Sequence, residues 1–199
     1  MANEYAQLAT LKAMLNVETD DASRDVLLSK ALTAASRSID RACGRRFWLD
    51  EAASTRIYKS AGRVVCDDAG ERLLVDDIGG ASITVETGSG GSWTTVALTD
   101  WETWPDNALV RDRPVTAIGK LSGYWPGGTG RVRVTAQWGW PAVPEDIEQA
   151  TLLQASRLYK RKDSPEGVTG SAEWGVVRLS RRDPDVWALI EHFILPGFG

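Results

Sequence analysis

Two adjacent acid pairs, Asp67-Asp68 and Asp76-Asp77, have the residue types to bind a cation or assist a hydrolysis. Neighbours on a strand point to opposite faces, so neither pair converges well, and no ordered D-x-D-x-D ligand series follows. Both pairs lie beside glycine-containing turns, where aspartate is common, and turn chemistry is the reading they support. His192 is the only histidine, and it sits among Ile190, Phe193 and Ile194. There is no G-x-S-x-G, and neither Ser164 nor Ser171 has an evident base, so no nucleophile triad takes shape. His192 reads instead as a surface or packed histidine. The two cysteines, Cys43 and Cys66, are too few for a disulfide scaffold, and no CxxC or HxxxH spacing offers a zinc site. Gly88-Ser-Gly-Gly91 is followed by neither GK[ST] nor a capped helix, so it reads as a hairpin loop. The sequence thus predicts no catalytic residue, no metal, no cofactor and no enzyme; a phosphodiesterase-type hydrolase is the most distant reading.

Two further groups bear on binding. Trp93, Trp101, Trp104, Trp125, Trp138 and Trp140 all fall within one β-rich stretch. An exposed row of such rings stacks on sugars, which makes a carbohydrate-binding β-sandwich module with helical flanks the alternative function. Packing in a core or at a protein contact is the weightier account, because tryptophan buries a large area in either place. The only basic concentration is Arg157, Lys160, Arg161 and Lys162, with Arg178, Arg181 and Arg182 beyond it. It can meet DNA phosphate, or it can offset the negative end of a helix and pair with acidic groups. A net charge of -4 favours the second, since a chain that coats nucleic acid is ordinarily basic.

The elements that position these groups follow from periodicity. Leu8, Leu11, Met14 and Leu15 predict a short helix ending near Asn16. Leu28, Leu32, Ala35, Ile39 and Cys43 predict the longest helix, capped by Thr19 or Asp20 and stopped by Gly44, with Arg24, Ser36, Arg37, Asp40 and Arg41 on its opposite face. Short β-branched runs then predict strands over Thr55–Lys59, Arg63–Cys66, Arg72–Val75, Ser82–Glu86, Trp93–Leu98, Ala108–Arg111, Val115–Leu121 and Arg131–Trp138. A third helix spans Pro144–Lys162, with Pro144 at its first position. The glycine-punctuated stretch Asp163–Arg182 follows, with one short strand at Val176–Leu179. Asp183-Pro184-Asp185 caps a last helix whose apolar face is Val186, Ile190, Phe193 and Ile194. The N-terminus lacks the apolar run of a signal peptide, and the C-terminal apolar run is broken by Glu191 and His192. These features predict a soluble protein made in the cytoplasm. The expected fold is α+β: a bundle of about four helices (residues 1–47 and 144–199, with the loop 163–182) and an inserted antiparallel β-sandwich or barrel-like module at residues 54–140.

Three segments in combination carry a resemblance: SRSIDRACGRRF at Ser36–Phe47, VRVTAQWGWPAVPEDIEQA at Val132–Ala150, and RKDSPEGVTG…WGVVRLSRRDPDV from Arg161 to Val186. Together they resemble the head–tail connector family of tailed bacteriophages, also called adaptor or head-completion proteins. Residues 68–130 carry no motif of that family. The resemblance implies a structural virion protein at the head–tail interface. It implies a homo-oligomeric ring, usually twelvefold, that docks beneath the portal protein, extends the DNA channel and offers a surface to the next neck or tail-completion protein. It implies double-stranded DNA as a transient passenger and no membrane. Carried over to this sequence, the subunit contact falls on the loop residues Pro165, Gly167, Val168, Gly170, Trp174 and Val177. Portal contact falls on Trp187, Phe193 and Phe198. Arg157, Lys160, Arg161 and Lys162 become the residues that face a DNA channel. A glycine-rich loop that also holds Val168, Trp174, Val176, Val177 and Leu179 is poorly suited to water and gains order when a partner covers it.

Overall fold

Leu28, Leu32, Ala35, Ile39 and Cys43 do form one buried line, along helix α2 (Asp25–Cys43). The computed structural model describes residues 3–68, 70–161, 168–169, 177–178 and 183–195. In it the chain forms an α+β protein of two units, Met1–Arg46 with Val143–Gly199, and Phe47–Ala142.

The first unit is helical. Helix α1 (Leu8–Met14) packs on α2 and on α3 (Glu145–Lys160), α2 packs on α3, and α4 (Pro184–Ile190) packs on α3. Leu11, Leu28, Leu32, Ala35, Leu152 and Ala155 share one core, and the small residues of α2 let α3 approach closely. Gly44 stops α2 in the left-handed conformation, as its position predicts. Three local expectations are corrected. Asp21, rather than Thr19 or Asp20, is the cap, accepting from the Ser23 N–H ahead of a 3-10 turn at Ala22–Arg24. Pro144 is the residue before the helix, not its first helical residue, and α3 ends at Lys160. Ser36 is buried: it donates to the Leu32 carbonyl and accepts from the Tyr5 N–H. The segment before α1 lies across α2 there, which is why that face of α2 is not left to solvent.

The second unit holds two four-stranded antiparallel sheets. One runs β1 (Ser54–Tyr58), β8 (Arg131–Ala136), β4 (Thr84–Ser89), β5 (Ser92–Thr95); the other runs β2 (Val64–Asp67), β3 (Gly70–Ile78), β7 (Val115–Lys120), β6 (Trp101–Trp104). Tyr58, Val85, Val132 and Val134 from the first sheet share a core with Leu73, Ile78, Val115 and Ile118 from the second. Among the described residues neither sheet closes on itself, so the barrel-like alternative is not the form observed. The alternation of Val132, Val134 and Ala136 is kept in β8, where all three are fully buried. Gly90-Gly91 turns β4 into β5, both with positive φ, as a two-residue hairpin on this twist requires.

Two strand expectations fail. Ala108–Arg111 is not a strand; Leu109–Arg111 is a 3-10 turn between Asn107 and Asp112, both of positive φ. Asparagine and aspartate tolerate that conformation, and the two bends coil a segment too short to pair. The expected strand Trp93–Leu98 stops at Thr95, and a strand not predicted, β6, follows at Trp101–Trp104.

The WGWP run is a corner that holds both sheets in register. Trp138 is fully buried, its indole N–H donates to the Ser54 carbonyl at 2.8 Å, and its backbone bridges to Ile78. Trp140 donates to Asp77 at 3.1 Å and packs against Phe47 with ring centroids 5.2 Å apart. Gly139 lies between them at φ 113, where a Cβ would sit 1.8 Å from the Trp48 carbonyl oxygen. No other residue fits there.

Candidate functional site

The loop after α3 leaves from a closed base. Arg157, in the last turn of α3, pairs with Asp183 at 2.9 Å, and the same aspartate caps α4 by accepting from Asp185 and Val186 N–H groups. One carboxylate therefore fastens the departing and returning ends of the segment together. Within it β9 (Val168–Thr169) pairs antiparallel with β10 (Val177–Arg178), Val177 opposite Thr169 and Arg178 opposite Val168. Of the short strand expected at Val176–Leu179, Val177 and Arg178 are strand, Val176 and Leu179 lie outside the described residues, and the strand has a partner that the sequence did not reveal. Pro165, Gly167, Gly170 and Trp174 lie outside the described residues, as do Lys162 and Phe198.

The basic cluster is not a uniform patch. Arg157 is half-buried and committed to Asp183, whereas Lys160 and Arg161 are exposed. At the other end, Val186 and Ile190 of α4 are buried and Trp187 and Phe193 are half-buried. The His192 ring lies against Phe193 at 4.1 Å, and its Nε2 is 3.5 Å from Asp146 with both side chains about half exposed, so of the surface and packed alternatives it is the surface one. The chain then lies against the end of α2, where the Leu195 N–H donates to the Cys43 carbonyl at 2.9 Å.

Three of the four paired acids hold structural partners, and Asp68 lies exposed in a turn. Asp67 pairs with Arg72; Asp76 accepts from Arg56 at 2.7 Å and from the Tyr58 hydroxyl at 3.1 Å; Asp77 takes the Trp140 N–H. Among the described residues no group of three His, Cys, Asp or Glu converges as a metal site.

The tryptophans divide in the same way. Trp101, Trp125, Trp138 and Trp140 are buried. Trp93 and Trp104 reach the surface, but a guanidinium lies over each ring: Arg133 at 4.5 Å over Trp93, and Arg72 at 4.3 Å over Trp104. Each arginine is fixed by a carboxylate from the adjacent strand, Arg133 by Glu86 at 2.5 and 2.6 Å and Arg72 by Asp67. The hydrogen bonds from Arg133 hold the Glu86 carboxyl below the usual range and raise Arg133 in turn. Each sheet therefore carries on its outer face a carboxylate–arginine–tryptophan stack built across strands. A guanidinium occupies one face of each ring, and Trp93 and Trp104 belong to different sheets, so the two do not form the open row that the carbohydrate reading needs.

The residues that sequence reasoning missed lie about β6, which among the described residues has no strand on its outer side. Leu98 just precedes β6 and Leu121 bonds to Asp100 at its start, both large, apolar and exposed, beside Trp104, which the sequence singled out only as a tryptophan. Trp101, Thr103 and Trp104 are strand-favouring types, but they do not alternate with polar residues, and the run is only four residues long between Asp100 and Pro105, which read as turn residues.

The fold defined here is an α+β protein with a helical unit and a unit of two antiparallel sheets. No family model and no curated protein matches the sequence. Solved structures match it over nearly its whole length. A chain from the neck of an empty GTA particle, computed with C6 symmetry, is 24% identical with a TM-score of 0.59, the match covering 98% of this chain and 92% of that one. A chain from the virion of a native gene transfer agent (GTA) particle is 22% identical with a TM-score of 0.58, over 98% and 92%. A third, from the neck of a native GTA particle computed with C12 symmetry, is 21% identical with a TM-score of 0.50, over 99% and 97%. At these identities the likeness is one of fold.

Proposed function

We propose that this chain is a structural, non-enzymatic protein of the neck of a phage-like particle, assembling as a ring between the portal vertex and the tail. The observation that carries the proposal is the near-complete coverage by chains from GTA necks and virions, which spans the helical unit and the two-sheet unit alike. The connector-like segments at Ser36–Phe47, Val132–Ala150 and Arg161–Val186 support it independently. In this reading the ring is twelvefold, extends the DNA channel and presents its lower surface to the next neck or tail-completion protein.

The loop residues Pro165, Gly167, Val168, Gly170, Trp174 and Val177 make the contact between copies, and Trp187, Phe193 and Phe198 the contact with the portal. The fastened base at Arg157–Asp183 supports the first assignment, since a segment anchored at both ends can project without loosening the helices that carry it. Lys160, Arg161 and Lys162 are the better candidates to face DNA. Arg157 is the weaker one, because its charge is already offset.

The test is co-expression with a portal protein from the same particle, followed by native mass spectrometry. A ring of this chain bound to the portal is expected. Absence of any association with a cognate portal would remove the assignment.

A further inference from the structure

In the sheet β2-β3-β7-β6 every neighbouring pair is antiparallel, so the two edge strands run in opposite directions. β2 and β6 are each four residues long, and among the described residues neither has a strand on its outer side. Open edges facing water are ordinarily guarded by lysine, proline or a bulge. Both strands are short and Pro105 follows β6, yet the edges also carry exposed apolar groups. Trp104 is 41% exposed in β6, Leu98 (77%) precedes that strand, and Val65 (44%) lies in β2. Leu121 (55%) is held against the start of β6, its N–H donating to the Asp100 carbonyl at 2.9 Å.

We infer that the β6 edge of one copy docks on the β2 edge of the next copy, so that the sheet continues from subunit to subunit. This inference rests on the ring reading above. The occupant is a second copy of this chain because its own opposite edge has the length and the polarity that β6 needs. Placed head to tail, β6 meets β2 antiparallel, and the alternation of strand direction passes unbroken across the contact. One contact of this kind covers both edges of every subunit. A twofold pairing of β6 with β6 would leave every β2 edge bare, and it closes at a dimer. The head-to-tail form is also the kind that cyclic assemblies such as the C6 and C12 necks of the structural neighbours require.

Cys66 makes the contact testable, since it is an exposed thiol in β2, whereas Cys43 is buried. Directly opposed residues on antiparallel strands have Cα atoms about 4.5–5.5 Å apart, within disulfide range. Glu102→Cys and Thr103→Cys are made separately in the full chain, their folds checked by circular dichroism, and each is oxidised with diamide. At least one is expected to give a ladder of dimers, trimers and higher species on a non-reducing gel, and the ladder should vanish when Cys66→Ser is added. Monomers alone, or dimers alone, in both variants would overturn the edge contact. Native mass spectrometry of the unmodified chain, with spectra and ladder both recorded on protein co-expressed with the cognate portal, separates the two failures. Rings without a ladder refute the edge contact and leave the neck reading standing, while neither rings nor a ladder refutes both.

Discussion

Lys12 shows how a single side chain can be committed to holding the backbone. Lys12 is 4% exposed, and its ammonium donates to the Thr19 and Asp21 carbonyls at 3.1 and 2.9 Å while sitting 2.5 Å from Asp25. It ties α1 to the turn that opens α2. Lys12→Met keeps the stem and deletes the donor, leaving two carbonyls and a carboxylate without it. Because Asp25 is a third exposed, the expected loss falls below the about 3–5 kcal/mol of a fully buried pair, at about 2 kcal/mol, read as a lowered denaturant midpoint with an unchanged slope. The two thiols should also behave differently. Burial pushes Cys43 up to about 11, so at neutral pH it is a protonated, covered thiol, whereas Cys66 is open to reagent. Titration with Ellman's reagent should count one fast thiol in the native protein and two in denaturant; two fast thiols without denaturant would show that the end of α2 opens readily.

At the scale of elements, the corner after β8 and the base of the Asp163–Arg182 loop make opposite predictions. The corner has no slack: Gly139→Ala forces a Cβ onto the Trp48 carbonyl in a backbone conformation that side chains rarely adopt. A loss of about 3 kcal/mol or more follows from such a clash and the strain with it. Thermal unfolding should show it, and a melting temperature unchanged within a degree would mean that the corner relaxes at little cost. The loop, by contrast, should be dispensable for folding. Deleting residues 163–175 leaves Arg157 and Asp183 in place, so the helical unit should stay folded and monomeric and fail to assemble. Collapse of the isolated subunit would show that the loop belongs to its core.

For the molecule as a whole, buried acids set an alkaline limit. Desolvation raises Cys43 to about 11 and holds the Tyr58 hydroxyl, next to Asp76, well above the ordinary tyrosine value. The unfolded chain therefore releases these protons at lower pH than the folded one, and stability must fall as pH rises through about 9 to 11. Below about pH 8 both groups are protonated in both states, and their contribution is flat. Urea midpoints should decline across that alkaline window, and Cys43→Ala should shallow the decline. An equal slope in wild type and variant would assign the effect elsewhere. The same alkaline sensitivity would act on any assembly, because each subunit carries both groups.

Periodic side-chain patterns were enough to give the α+β character. Helical spacing along α2 and alternation along β8 report which faces are buried, and burial is what those patterns encode. Motif logic set the acid pairs aside as turn residues; in the structure Asp67, Asp76 and Asp77 lie in strands β2 and β3, and Asp68 alone of the four lies in a turn. What the sequence did not reveal is decided by pairing at a distance. Whether Trp101-Glu-Thr-Trp104 is a strand depends on the presence of β7 beside it, and whether Val110 lies in a strand depends on two left-handed residues around it. Whether Trp93 and Trp104 stand open depends on arginines 40 and 32 positions away in the chain. Local sequence sets each segment's preference; which of two comparably stable local states is occupied, and which rings are covered, is fixed by the strand or guanidinium that tertiary folding brings alongside.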